Sequence, residues 1–415
     1  MDIDSLNIDK SKWVLTPMGD LADEISKRVD NPSDSDYEKF VGLEHFVSGD
    51  LKIRQWGSTE NLTSSTKAFE SGDILFARRN AYLKRASLVS FDGVCSGDAF
   101  VLRENHEKVV PGFLAFVVNS NALWEFANAN AAGTMSKRVK WRDLAEFEFL
   151  LPPKDQQSEI AELLWAIDDL IQQDKKLLEL ARVQYQASMN RLVLNGFSDS
   201  SKTSENLKQE IASEWHETTI GDLLKDSFIE KIQDGNHGEI HPKSSDYTEE
   251  GIPFVMANTL SNGSICFDST KKLPKDITDK LRIGFSYPGD VLLSHKGTVG
   301  QVAVVPDNIE WPYLMMTPQV TLYRVNKDKF LPKFLYYVLT SAYFQHQLKR
   351  LSSQSTRAYV GITSQRSLKV VIPSTLSEQR QVVNALDVMT LNIFSIENKI
   401  KHSENLQKSL INQLL

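Results

Sequence analysis

Residues 156–195 read QQSEIAELLWAIDDLIQQDKKLLELARVQYQASMNRLVLN, a stretch without glycine or proline. Its apolar residues are spaced alternately by four and three, as are the a and d positions of a heptad. This seam consists of Ile160, Leu164, Ile167, Ile171, Asp174, Leu178, Ala181, Tyr185, Ser188 and Leu192. Forty residues of α-helix, at about 1.5 Å per residue, form a rod of about 60 Å. The pattern therefore predicts a long amphipathic helix.

The same pattern returns 222 residues further along, in residues 378–415. The second seam consists of Val382, Leu386, Met389, Ile393, Ile396, Ile400, Ser403, Gln407, Leu410 and Leu414. Two such rods bury their apolar stripes most simply against each other, so we expect 160–192 to face 382–414 in antiparallel pairing. Polar seam residues such as Asp174 and Gln407 fix register at a cost in stability. The alternative is that each is an ordinary amphipathic helix on a globular core.

The segments ahead of the two helices are also repeated. Residues 11–21, SKWVLTPMGDL, match residues 213–223, SEWHETTIGDL, at an offset of 202. The run GDIL at 72–75 matches GDVL at 289–292, at an offset of 217. Because the offset only grows along the chain, we infer two homologous units, the second with extra loop residues in its first half.

This repeat predicts the domain organisation. We expect a first domain at 1–151, a long helix at 152–197, a linker at 198–212, a second domain at 213–372 and a second long helix at 373–415. The predicted strands are 39–43, 74–77, 86–91, 146–151, 252–256, 290–294, 301–305 and 320–325. Short helices are expected at 111–119 and 332–349, and a helical turn around 207–211. The fold class is α+β, with mixed α/β domains.

Composition limits the function. The chain has 415 residues, a net charge of −7 and two isolated cysteines, Cys95 and Cys266, which argues against a disulfide scaffold or a zinc site. The longest apolar runs are too short for a membrane span, and the acidic N-terminus is unlike a secretion signal, so we expect a cytoplasmic protein. Phosphate-binding and methyltransferase motifs are absent. The HGEIH run at 237–241 lacks a third metal ligand. We expect recognition rather than catalysis, with no metal and no cofactor of its own.

Basic residues gather at matching places in the two repeats, and this pattern indicates a nucleic-acid surface. In the first domain the candidate DNA-binding residues are Arg78, Arg79, Asn80, Tyr82, Lys84, Arg85, Lys137 and Arg138. In the second they are His295, Lys296, Thr298, Gln354, Arg357, Tyr359 and Gln365. The alternative is that these are ordinary solvated loops.

The repeated opening motif, the Gly-Asp-Ile/Val-Leu strand and the proline-led long helix together resemble the specificity (S) subunit of type I restriction-modification systems. The helix entries differ in detail: PPKDQQ at 152–157 lacks the usual Leu and Glu, whereas PSTLSEQ at 373–379 keeps them with one extra residue. The resemblance covers essentially the whole chain.

The resemblance implies a non-catalytic subunit whose two target-recognition domains each read one half of a split double-stranded DNA target. The long helices would form an antiparallel coiled-coil spacer with pseudo-twofold symmetry. The implied partners are two methyltransferase subunits, which carry S-adenosylmethionine, and restriction or translocase subunits. Two other hypotheses stay open at this point: a coiled-coil protein-interaction scaffold without DNA specificity, and an enzyme with an unrecognised site.

Overall fold

The computed structural model describes residues 9–134, 136–197, 201–203, 210–236, 241–353 and 358–414. The chain divides into two compact units. The first consists of Met1–Leu178 with Ile396–Leu415, and the second of Glu179–Ser395. Each unit therefore contains one globular repeat together with a part of each long helix.

The globular part of the first unit is built on a four-stranded and a five-stranded sheet, with a third sheet of two strands. Its strands are Val14–Pro17, Ala22–Ile25, Arg28–Val29, Lys39–Val41, Gly57–Ser58, Thr66–Phe69, Ile74–Ala77, Ala86–Leu88, Gly93–Cys95, Ala99–Glu104 and Glu148–Leu151. Its short helices are Leu114–Val117, Asn121–Ala129 and Trp141–Leu144. One sheet is four-stranded and antiparallel, with Ala99–Glu104 and Ile74–Ala77 at its centre. The five-stranded sheet contains a parallel pair, Lys39–Val41 with Gly93–Cys95. The first and last strands of the domain pair with each other.

The second unit repeats this plan. Its strands are Ser201–Thr203, Glu210–Ala212, His216–Thr219, Ile229–Asp234, Ile252–Val255, Leu260–Ser261, Ser264–Ile265, Lys271–Leu273, Phe285–Ser286, Val291–Ser294, Val302–Val304, Leu314–Met316, Val320–Val325 and Lys369–Ile372. Its short helices are Ile220–Lys225, Lys275–Thr278, Pro332–Thr340, Ala342–Ser352 and Ile362–Arg366. A four-stranded antiparallel sheet again has the strands Val320–Val325 and Val291–Ser294 at its centre. These two central strands are buried over most of their length, as the β-branched and leucine-rich sequence predicts.

The repeated Gly-Asp motif has a structural role that is the same in both units. The buried Asp73 carboxylate accepts from the Arg103 guanidinium at 2.8 and 2.9 Å, and from the backbone N–H of Glu70 at 2.8 Å. In the second unit Asp290 accepts from Arg324 and from the backbone of Tyr287 in the same way. Each aspartate therefore fixes the turn that leads into a central strand. A buried carboxylate needs such partners, because charge without hydrogen bonds is costly in the interior.

The two long helices are Lys154–Asn195 and Leu376–Leu414. In the first unit the Lys399 ammonium lies 3.0 Å from Asp174, and the Gln407 side chain donates to the backbone carbonyl of Leu164. Because residues late in one helix contact residues early in the other, the two helices run in opposite directions there. In the second unit Met189 and Leu192, late in the first helix, share a core with Val382 and Leu386, early in the second.

Several predicted elements differ in extent. The predicted helix 332–349 is two helices, because Ser341 breaks it and accepts from the backbone of Phe344 as the cap of the second helix. The predicted helix 111–119 shortens to Leu114–Val117. The turn expected around 207–211 is wrong at Ile211, which lies in a strand paired with Ser201–Thr203; residues 207–209 lie outside the described residues. None of the described helices is long and apolar enough to span a membrane.

Candidate nucleic-acid interface

Two basic loops of the first unit lie side by side. The loop at 78–85 follows the strand Ile74–Ala77, and the loop at 132–138 precedes the helix Trp141–Leu144. An antiparallel bridge joins Arg79 to Arg138. The backbone of Asn80 donates to Lys137, and that of Val139 donates to Arg78, at 3.0 and 2.9 Å. Residues 59 positions apart are thus held as one surface.

An aspartate organises the arginines of this surface. Arg138 donates to the Asp98 carboxylate from Nε at 2.8 Å and from the second guanidinium nitrogen at 3.4 Å. Arg79 lies 3.6 Å from the same carboxylate and donates to Ser136 at 2.7 Å. The hydrogen bond from Arg138 holds the pKa of Asp98 below its ordinary value, and burial opposes this effect less strongly. Both arginine side chains are still more than two-fifths exposed.

The other predicted residues of these two loops divide into an exposed group and a group that contacts the protein. Tyr82 is 67% exposed and Lys137 is exposed, so both are available to a partner. Arg85 donates to the backbone carbonyls of Leu43 and Arg79, and burial lowers its pKa. Its guanidinium therefore holds the loop in place.

Arg78 and Lys84 are also turned toward the protein. The Arg78 guanidinium lies over the Phe100 ring at 5.4 Å, and Lys84 donates to the Asn121 side chain at 3.0 Å. Asn80 and Lys84 have φ values of 55° and 48°. Non-glycine residues in this left-handed region are strained, and such strain is concentrated at functional sites.

The second unit contains the same pair of loops. Lys296 is bridged to Tyr359, as Arg79 is to Arg138. The backbone of Val360 donates to His295 at 3.0 Å, and that of Gly297 donates to Ala358 at 3.1 Å. The same hydrogen bonds occur in the first unit. Residues of the first loop are 217 positions, and those of the second loop 221 positions, before their counterparts in the second unit. The duplicated geometry is the strongest structural feature of the candidate site.

Two residues predicted to contact DNA in the second unit are buried. The His295 ring has no exposed surface and lies 2.6 Å from the Thr321 hydroxyl, with the Asp234 carboxylate at 3.5 Å. Gln365 is also fully buried and donates to Thr321 and to the backbone of Val360. Direct contact with DNA does not fit this burial. The correction is that both residues support the loops from beneath.

The remaining predicted residues of the second unit are at the surface or outside the described residues. Lys296 and Thr298 are exposed, and Tyr359 is 46% exposed. Gln354 and Arg357 lie outside the described residues, as does most of the HGEIH run. Within the described part of the chain, no group of three or more His, Cys, Asp or Glu side chains is placed to hold a metal ion.

A family model described as "Type I restriction modification DNA specificity domain" matches residues 10–181 and 212–403. The chain belongs to this family. The two matched segments correspond to the two repeats, so each unit carries one specificity domain. The two pairs of loops therefore occupy equivalent places in two copies of the same domain.

Known relatives of these specificity domains are distant. The chain is 24% identical to the type I restriction enzyme MjaVIII specificity subunit of Methanocaldococcus jannaschii over 295 residues, covering 70% of this chain and 66% of the relative. It is 21% identical to the EcoBI specificity subunit of Escherichia coli over 318 residues, covering 73% and 62%. The alignments thus span slightly less than two thirds of each relative's length.

Solved structures of the family share the fold. A chain from a study of complex assembly and conformational transition in a type I R-M system superposes with a TM-score of 0.60 at 20% identity, covering 96% of both chains. The S subunit of a type I restriction-modification system from M. genitalium gives 0.57 at 15% identity, covering 97% of this chain and 96% of that one. At these identities the likeness shows the fold alone.

Sequence reasoning missed Asp98 in this specificity domain. The residue lies in the short connection between the strands Gly93–Cys95 and Ala99–Glu104, away from both basic clusters in the sequence. Only the pairing of Ala99–Glu104 with Ile74–Ala77 brings it beside the first loop. Its counterpart in the second unit is Gln319, 221 residues further along, and this match is visible only in the structure. The backbone of Arg78 donates to the carbonyl of Asp98, as that of His295 donates to the carbonyl of Gln319.

Proposed function

We propose that the chain is the DNA-recognition subunit of a type I restriction-modification system, and that each specificity domain reads one half of a bipartite double-stranded target. The observation that carries this proposal is the duplicated pair of loops in a chain of this family. Each pair presents exposed donors: Arg79, Lys137 and Arg138 in the first unit, and Lys296 and Thr298 in the second. Side chains of this kind read base edges and bind phosphates, and aromatic residues such as Tyr82 and Tyr359 add contact area.

In this proposal the long helices act as an antiparallel coiled-coil spacer and also as a scaffold for partner subunits. The outer faces of the helices support the scaffold role. In the first unit Leu163, Leu170 and Leu177 are 39 to 50% exposed and recur every seven residues, as the seam of a further helix contact does. In the second unit Val388, Leu391 and Phe394 are 59 to 66% exposed. Exposed apolar residues in such stripes are typical of partner interfaces.

The partners that fit this role are two methyltransferase subunits, with restriction or translocase subunits as further partners. The S-adenosylmethionine needed for methylation belongs to the methyltransferase subunits in this proposal, and the chain itself is non-catalytic. The complex acts on DNA in the cytoplasm.

Selection from a random-sequence duplex pool tests this function. The full chain is co-expressed with the methyltransferase subunits of its system, and the complex is used to enrich DNA over several rounds. We expect a split motif of two short defined sequences separated by a spacer of fixed length. Enrichment without any sequence preference would favour the protein-interaction scaffold instead. Binding should weaken steeply with salt, because each neutralised phosphate contributes about 0.9 to the slope of log K against log salt.

A further inference from the structure

Asp98 is placed to control the direction of two arginines. Its carboxylate receives two hydrogen bonds from Arg138 and lies 3.6 Å from Arg79, and its side chain is 23% exposed. Some guanidinium nitrogens of Arg79 and Arg138 contact neither Asp98 nor Ser136. Within the described residues, these nitrogens have no hydrogen-bond partner in the protein. We propose that Asp98 is a positioning residue that aims Arg79 and Arg138 at guanine, so that the half-site of the first domain contains guanine. The inference rests on the proposed function.

The hydrogen-bond pattern favours guanine over the other bases. In the major groove guanine presents two acceptors, N7 and O6, whereas adenine presents one acceptor and one donor. A guanidinium carries donors only, in a planar fork that matches two acceptors. Arg138 contacts Asp98 through Nε and one terminal nitrogen, so the edge formed by its two terminal nitrogens still has N–H groups available to a base. A guanidinium held in this plane can make both bonds to guanine without losing further side-chain freedom.

The charge of the site argues against phosphate as the main ligand of these arginines. A phosphate contact requires positive charge but little orientation, and phosphate contacts carry no sequence information. Asp98 cancels one of the two positive charges and would itself be repelled by a nearby phosphate. An aspartate here weakens general attraction to DNA while it fixes the geometry. That combination suits base reading.

The second domain lacks this arrangement, which confines the inference to the first. At the matched positions it has Gln319 in place of Asp98, Lys296 in place of Arg79 and Tyr359 in place of Arg138. The ammonium of a lysine is a point charge without a planar fork. Gln319 is exposed, so it also provides a control.

The test couples a protein residue to a base atom. Duplexes carrying the selected motif are synthesised with 7-deazaguanine, which lacks the N7 acceptor, at one guanine at a time, and their affinities for the full complex are measured. We expect a loss of about tenfold at one or two guanines of one half-site, in line with the discrimination of a bidentate pair. In Arg138→Ala or Arg79→Ala this penalty should disappear, because the donor is gone. In Asp98→Ala and Asp98→Asn it should fall to about threefold or less.

The controls separate this inference from the proposed function. Gln319→Ala should keep the full penalty at the same guanine. If the penalty persists in both arginine variants, or if no guanine in either half shows one, the guanine inference is overturned while sequence-specific binding stands. If the complex selects no motif at all, the proposed function fails and this inference fails with it. If folded Asp98→Ala and Asp98→Asn variants keep the full penalty, the positioning role of Asp98 is overturned. The arginine variants test the guanine contact even if the Asp98 variants do not fold.

Discussion

The replacement Gln157→Ala tests how each domain is attached to its long helix. The Gln157 side chain is 1% exposed and lies in the first turn of the helix. It accepts from the backbone of Val110 at 2.9 Å and donates to the carbonyls of Pro152 and Lys108 at 2.8 and 3.3 Å. The substitution removes three hydrogen bonds, worth about 1 kcal/mol each, and leaves their backbone groups unpaired. We therefore expect the free energy of opening this region to fall by about 3 kcal/mol.

Hydrogen exchange is the suitable assay, because a chain of two units need not unfold in one step. A loss of about 3 kcal/mol corresponds to roughly a hundredfold faster exchange in peptides that cover Val110 and the first turns of the helix. The control is Gln173→Ala, an exposed glutamine on the same helix, which should change exchange little. Equal effects of the two substitutions would refute this reasoning.

The second unit offers an internal comparison. Gln379, 222 residues further along, accepts from Leu331 at 2.8 Å and donates to Lys329 at 3.1 Å. With two hydrogen bonds instead of three, Gln379→Ala should cost about 2 kcal/mol. Its effect should be confined to peptides around Leu331 and leave those around Val110 unchanged.

Three further predictions concern the loops, the thiols and the helix seam. Arg78→Ala combined with Arg79→Ala should weaken binding of the complex to DNA that carries its selected motif, measured by filter binding, and an unchanged affinity would contradict the assignment. Burial raises the pKa of the Cys95 thiol to about 12, so a thiol reagent at pH 8 should label only Cys266 in the folded chain and both cysteines in urea. Because the unfolded thiol ionises first, this group should make stability fall as pH rises from about 9 to about 12. Asp174→Leu replaces a buried carboxylate whose partner, the Lys399 ammonium, is 55% exposed and stays hydrated. Stability to urea should therefore be equal or about 1 kcal/mol higher, and a clear loss would show that the pair stabilises the fold.

The repeat was the part of the fold that the sequence predicts best. Heptad spacing and the two matched openings depend on local periodicity, so they lead directly to the helices Lys154–Asn195 and Leu376–Leu414. The Trp that is repeated in the two opening motifs has the same structural role in both units. Trp13 donates to Gln156 at 2.7 Å, and Trp215 donates to Glu378 at 2.9 Å, so each domain start is tied to its helix start.

The interface was predicted less completely, because exposure depends on tertiary packing. The clusters around Arg79 and Arg138 were found, and the structure brings them together. His295 occupies the position of Arg78, but the Thr321 and Gln365 side chains around it place its ring in the interior. Charge counts along the sequence cannot distinguish such a buried polar network from an exposed loop. Asp98 was missed for the same reason, since its partners are brought to it by strand pairing.

Sequencing of methylated adenines tests the central claim most directly. DNA is compared from cells that carry the intact system and from cells in which the chain has the loops of one domain altered, by Arg79→Ala with Arg138→Ala or by Lys296→Ala with Tyr359→Ala. We predict a split methylated motif in which the first pair of substitutions changes or relaxes one half only, and the second pair the other half only. A continuous motif, or one in which both halves respond to the same loops, would contradict the account.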